Sequence, residues 1–295
     1  MIGEKKNITL ALGGGGARGF AHIGVLRVLE QENVPIGLIV GTSMGAIVGA
    51  VYSQLQNADA VEQKFRDLMA SSIYKSSGLL YAGKKKLSEG WFDQLAEHIR
   101  ERIVISVASR KQAAVSIERL YGAIDFLLEN DFVENTKIPF AAVATDLIEG
   151  KEVILNKGSL RDAVAASAAL PGFLPPIDIY SRKLIDGAAT SPVPIRAARK
   201  LSKSGKVVAV DVSQKLAQDP KLETVIDIVL RGYMITAAKY HDQIIKEADV
   251  LIQPAVGEFH WSEFAKIDWL IEEGEFAARE KLDEIVKLSK LSLFF

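Results

Sequence analysis

The sequence predicts an α/β protein with a mostly parallel central sheet, and three features predict it. Short apolar runs alternate with segments of helical spacing over the first 55 residues, the pattern of βαβ units. Two of those runs end in glycine-rich loops, Gly13 to Gly19 and Gly41 to Gly45, each followed at once by a helix. Short apolar runs return from Phe140 onward, again separated by helical patterns. With 48% hydrophobic residues in a chain of 295, there is enough apolar material for one large domain.

Taken in order, Ile8–Leu12 is a short apolar run that stops at glycines, the mark of a buried strand. Arg18–Glu32 follows with Phe20, Ile23, Leu26 and Leu29 at helical spacing. Gly37–Val40 is the second strand and Ala46–Leu55, rich in Ala and Val, a buried helix. From about 59 to 135 the pattern is mostly helical, without a convincing strand pair, and reads as a helical insertion over the sheet. Strands resume at Phe140–Thr145 and Glu152–Leu155. Ser159 to Asp162 resembles a capping box for a helix over Leu160–Ala169, stopped by Pro171. Ile177–Tyr180 and Lys183–Ile185 form a hairpin, and Ser191-Pro192 opens a helix to Leu201. Val207–Val210 is a strand, Leu222–Glu247 a long helix, Val250–Gln253 a last strand and 263–288 a final helix. No internal repeat or linker divides the chain, so residues 1–295 are read as a single domain with a motif core over about 8–254.

Composition excludes several functions. The chain has no cysteine, which removes disulfides, thiolate catalysis and Cys-based zinc sites. Lys plus Arg number 36 against 37 Asp plus Glu, so nothing attracts nucleic acid in general. The apolar run near the N-terminus is too short for a secretory signal, and no segment has the roughly 18 uninterrupted apolar residues of a spanning helix. The expected location is cytoplasmic, with peripheral contact to a membrane surface as an additional expectation.

The first glycine loop, Gly13-Gly14-Gly15-Gly16-Ala17-Arg18-Gly19, joins a strand to a helix. Its backbone amides are unshielded, and the helix N-terminus adds positive potential, so the loop suits an anion. A phosphate and the oxyanion of acyl transfer both fit. Gly14, Gly16 and Gly19 match G-x-G-x-x-G, but the second strand ends in Gly41-Thr42-Ser43, with no carboxylate for a ribose. A tight turn without a ligand is the plainer alternative. The second loop, Gly41-Thr42-Ser43-Met44-Gly45, matches G-x-S-x-G between a strand and a helix, the context that exposes a nucleophilic serine. Against this stands the reading of Ser43 as an ordinary N-cap.

A nucleophilic serine needs a base. The four histidines, His22, His98, His241 and His260, fall in or beside helical segments, none in a recognisable strand-end loop. Asp186 is better placed, after a strand and beside the small pair Gly187-Ala188, although Asp-Gly is also a common turn. An aspartate with a reference pKa of about 3.9 is a weak base for an alcohol, and burial would strengthen it.

Together these motifs resemble the patatin-like phospholipase family. The supporting stretches are Ala21 to Leu26, Ala144 to Leu147 and Ser167 to Phe173, and the resemblance covers about residues 8–254. It implies a three-layer α/β/α fold and hydrolysis of lipid acyl esters by a Ser-Asp dyad, with no histidine, metal or organic cofactor. By that resemblance Ser43 is the nucleophile, Asp186 the base, and the amides of Gly14, Gly15 and Gly16 the oxyanion hole. Arg18, Gly19, Gly41, Gly45, Gly187 and Ala188 support the motifs, with Arg18 either positioning the loop or meeting a phosphate headgroup. The implied partner is a lipid or acyl-ester substrate. Acyl transfer to another acceptor, a Ser-His-Asp esterase using His241 or His260, and a non-catalytic lipid-binding relative are the alternatives. Residues 71–91 mix aromatics with Lys75 and Lys84 to Lys86, which suits a lid or membrane contact as well as a solvated loop.

Overall fold

A computed structural model describes residues 7–76, 116–214, 216, 220, 222–257 and 259–290. Within them the sequence expectations for the sheet are met. Strands β1 (Ile8–Leu12), β2 (Ile36–Thr42) and β3 (Phe140–Asp146) are parallel, as are β7 (Val207–Val210) and β8 (Val250–Ile252) on the other side of β1. Strand β4 (Lys151–Leu155) and the hairpin of β5 (Ile177–Ile179) and β6 (Arg182–Asp186) complete an eight-stranded sheet with antiparallel pairings.

Register at β3 fixes an arrangement that no motif reveals. Ala142 and Val143 pair with both β2 and β4, so those strands lie on opposite edges of β3. Ala144 to Asp146 pair with both β4 and β6, so those two are opposite as well. Strands β2 and β6 therefore share one edge of β3, end to end, and run towards each other.

Helices cover both faces, which makes three layers. Alternate residues of each central strand face opposite ways. Ile8, Leu10, Leu12, Val208 and Val210 join the larger core with α1 (Ala21–Gln31), α2 (Met44–Leu55), α3 (Ala58–Ala70) and α4 (Ser72–Ser76). Helices α5 (Ile117–Leu127) and α6 (Leu160–Ser167) lie in the same layer. Ala11, Val40, Val207 and Ala209 face α7 (Ile195–Leu201) and Ile244 of α8 (Val225–Ile244). Helix α9 (Ile267–Glu280) and α10 (Leu282–Lys290) return to the first face.

The described part of the expected insertion is built into the core. Val61, Phe65 and Leu68 of α3 are buried, and Phe65 meets Phe20 edge-to-face at 5.3 Å. Residues 77–115, which hold most of the 71–91 segment, its lysine run and His98, lie outside the described residues. The C-terminal segment is tied to α1. A Cβ on Gly24 would lie 2.0 Å from the Ile271 carbonyl oxygen, and one on Gly274 would lie 2.0 Å from that of Ala21. Arg27 of α1 adds ion pairs to Asp59 at 2.8 Å, Glu275 at 2.7 Å, and Glu62.

Some boundaries differ from the sequence reading. The final helix divides at Lys281. Ser191 caps no helix: α7 starts at Ile195, while the Ser191 hydroxyl donates to Glu152. Helix α6 ends at Ser167, short of Pro171, and its Ser159 cap accepts from the Asp162 N–H as expected. The long helix starts at a full capping box, Thr224 with Asp227, rather than at Leu222.

Candidate active site

The C-terminal ends of β2, β1, β7 and β8 open into one cavity of about 1430 Å³. Ser43 follows β2, and its backbone sits at φ 54, ψ −123, a strained position for a residue with a side chain. Its side chain makes no capping bond to α2, so the plain N-cap reading fails. Small neighbours permit the turn. Gly41, next to last in β2, packs against the first turn of α2, and a Cβ on Gly45 would lie 2.2 Å from the Leu12 carbonyl oxygen. The Ser43 N–H donates to Ser167 Oγ at 3.0 Å, and Ser167 in turn donates to the Val143 carbonyl at 2.6 Å.

Asp186 ends β6 and arrives at the same point from the opposite direction. Its carboxylate accepts a hydrogen bond from the Ala188 N–H at 2.8 Å, and Ser43 lies close enough to favour its ionised form. Gly187 makes this approach feasible, since a Cβ there would lie 2.2 Å from the Val143 carbonyl oxygen. Asp186 is buried, and burial pushes its carboxyl up to about 6 despite the nearby Ser43 and the Ala188 N–H.

The first glycine loop closes the site. A Cβ on Gly14 would lie 3.2 Å from Ser43 Cβ, so the two loops touch. The Gly13 and Gly14 N–H groups are already spent, on the Val210 and Pro192 carbonyls at 3.0 and 2.9 Å. Ala17 N–H is spent on Trp261. The Gly15 and Gly16 N–H groups have no acceptor among the described residues. Two buried side chains hold the loop's carbonyls from behind. His22 Nε2 donates to Gly13 at 2.8 Å and Arg18 Nε to Gly15 at 3.1 Å. A peptide is planar and trans, so fixing the Gly15 carbonyl also fixes the Gly16 N–H that points the other way. Burial pulls His22 down to about 4 and Arg18 down to about 10, with Asp211 opposing the shift in Arg18. His22 is therefore neutral and structural. Gly19 packs against Met44, where a Cβ would lie 2.3 Å from Cγ.

A family model described as "Patatin-like phospholipase" matches residues 10–199. The chain belongs to the patatin-like phospholipase family. Relatives include an uncharacterized NTE family protein of Mycobacterium tuberculosis, 32% identical over 191 residues, covering 64% of this chain and 44% of that one. Human patatin-like phospholipase domain-containing protein 6 is 30% identical over 213 residues, 70% of this chain and 13% of that protein. The chain thus spans less than half the length of these relatives. Among solved structures, the ExoU–SpcU complex of Pseudomonas aeruginosa aligns at TM-score 0.46 with 16% identity, over 95% of this chain and 52% of that one.

In this patatin-like chain none of the three described histidines is a partner of Asp186. His241 Nε2 lies 3.2 Å from Asp211 Oδ1 and 3.1 Å from Ser213 Oγ. One ring nitrogen serves both, whereas a relay needs one nitrogen for each. Burial opposes ionisation of Asp211, but hydrogen bonds from His241 and Ser213 outweigh it and hold the carboxyl at about 2. His241 is raised, its hydrogen bond to Asp211 outweighing burial. His260 Nδ1 is bonded to Ser262 Oγ. Among the described residues no group of three or more His, Asp or Glu side chains is placed to hold a metal ion.

No motif points to Ser167, which sets the Ser43 amide, or to Asp211 and Ser213 as the partners of His241, which the sequence offers only as an alternative base. Asp211 had a readable signal, since it ends the apolar run Val207–Val210 just as Ser43 and Gly13 end theirs.

Proposed function

We propose that the chain hydrolyses acyl esters of lipids through Ser43 and Asp186. The observation that carries this reading is the buried Asp186, brought beside Ser43 on the wall of one cavity that is also lined by apolar side chains. Ionised Asp186 takes the Ser43 proton as Oγ attacks the ester carbonyl carbon. The carbonyl oxygen becomes an oxyanion, and the Gly15 and Gly16 N–H groups hold it, with Gly14 supplying contact rather than a donor. As the tetrahedral intermediate collapses, Asp186 returns the proton to the departing alkoxide, leaving an acyl ester on Ser43. Water then attacks that ester while Asp186 accepts its proton, and the acid leaves as Ser43 Oγ is reprotonated.

The elevated carboxyl serves this scheme directly. A base near 6 is still ionised at neutral pH and accepts a proton more readily than an ordinary aspartate. Leu120, Ile47, Leu170, Phe173 and Leu174 on the cavity wall suit an acyl chain. Intact-mass analysis after treatment with a long-chain fluorophosphonate tests the reading. One adduct, mapped to Ser43 and absent in Ser43→Ala, is the expected result. No adduct in detergent micelles, with the protein folded, overturns it.

A further inference from the structure

Helix α8 presents two different surfaces along one length. Its later turns line the cavity through Ala237, Ala238, Tyr240 and His241. Its earlier turns leave large apolar side chains in solvent: Val225 is 77% exposed, Ile228 59%, Val229 50% and Tyr233 72%. At about 100° per residue these positions and Tyr240 fall on one side of the helix. From Val225 to Thr236 every exposed side chain among those described is uncharged. Leu222, just ahead of the helix, continues the stripe at 51% exposure. A stripe of this kind on a folded surface marks an interaction site.

Tyr240 belongs to both surfaces. It is 37% exposed, lines the cavity, and its hydroxyl donates to the Thr190 carbonyl at 3.0 Å. Thr190 N–H in turn donates to the carbonyl of Gly187, the residue after Asp186. Tyr240 therefore links the stripe, past the exposed Thr236 and Lys239, to the loop that follows Asp186.

We propose that the outward face of α8 docks on a lipid bilayer and sets the cavity mouth against it. The inference rests on the lipid-hydrolase reading, which makes the bilayer both the cover for the stripe and the source of substrate. A bilayer on this face lets a lipid pass from the surface towards Ser43 without crossing water. A second protein copy seated there would block the same edge of the cavity. Tyr233 and Tyr240 supply rings that suit the headgroup level, and the exposed Lys239 and Lys246 lie beyond the apolar turns, as in helices that lie flat in an interface.

The absence of cysteine makes the test clean. Ile228→Cys, in the Ser43→Ala background, gives one attachment point for a solvatochromic dye. Glu272→Cys on α9, across the sheet, is the control. Phosphatidylcholine vesicles are expected to shift the dye to shorter wavelength at 228 and leave it unchanged at 272. With Ser43 intact, the pair Val229→Asp and Tyr233→Asp is expected to lower the vesicle-bound fraction about tenfold. Hydrolysis of a water-soluble short-chain ester should stay within about twofold in that variant, while Tyr233→Phe keeps vesicle binding. Three results overturn the proposal: a dye at 228 that ignores vesicles, a stripe buried before vesicles are added, or self-association abolished by the aspartates without vesicle binding. Loss of phosphonate labelling and of soluble-ester hydrolysis in the unaltered chain would instead sink the hydrolase reading, whatever the dye reports.

Discussion

Replacing Asp186 with Asn should remove activity and stabilise the fold, and the gain should depend on pH. Burial lifts the carboxyl from 3.8 to about 6, so the folded protein holds this proton more tightly than the unfolded chain does. The contribution is fully present below pH 3.8 and is lost as pH rises through 6, because the buried group must then ionise. A shift of about two units corresponds to about 3 kcal/mol. Asparagine fills the same space, offers its one oxygen to the Ala188 N–H, and never ionises. Chemical denaturation of both proteins at pH 4 and pH 8 gives the variant-minus-parent difference at each. That difference should be more favourable to the variant at pH 8 by about 2.5 kcal/mol, because the unfolded carboxyl is already partly ionised at pH 4. The same difference at both values, or a variant less stable at pH 8 than at pH 4 relative to its parent, refutes the argument. In the unaltered protein, kcat/KM for a soluble ester should rise with pH through about 6, since the ionised form is the base.

Other expectations follow from the same geometry. Arg18→Met frees the Gly15 carbonyl and with it the Gly16 amide, so kcat should fall roughly a hundredfold with KM little changed, as for loss of one oxyanion donor. His241→Gln should keep kcat within about threefold, because its bonds go to Asp211 and Ser213. A loss of about a hundredfold or more, the scale of a missing general base, would restore the Ser-His-Asp alternative. Gly274→Ala drives a Cβ into the Ala21 carbonyl and should cost about 1–3 kcal/mol in urea denaturation, with reduced turnover because α1 continues from the glycine loop.

What the sequence discloses and what it withholds divide along physical lines. The glycine loops are legible because strand, turn and helix follow one another within a few residues, where local steric rules operate. The strand β7, Val207–Val210, is legible from its unbroken apolar run. The meeting of β6 with β2 is not legible, since it depends on register across β3 and no local pattern encodes it. Which loop amides are left without an acceptor is hidden for a related reason. The Gly13 and Gly14 N–H groups are taken up by the Val210 and Pro192 carbonyls, which come from distant parts of the chain. Ser191 misled because Ser-Pro is a good local cap signal, yet tertiary structure turns that hydroxyl towards Glu152. The apolar stripe of α8 reads in sequence as an ordinary buried face, and only its solvent exposure shows otherwise.

Strand β3 is the template on which Ser43 and Asp186 are brought together. The part of the chain bearing Ser43 lies along one stretch of its edge and the hairpin bearing Asp186 along the next. Among the described residues β5 pairs only with β6, and β6 holds β3 through three residue pairs, as few as hold β8 to β7, so this corner is lightly secured. Local opening there would carry Asp186 away and leave the serine turn and glycine loop in place. On the proposed function, heating should therefore silence ester hydrolysis before the fold melts, with activity returning on cooling as the hairpin finds its register again.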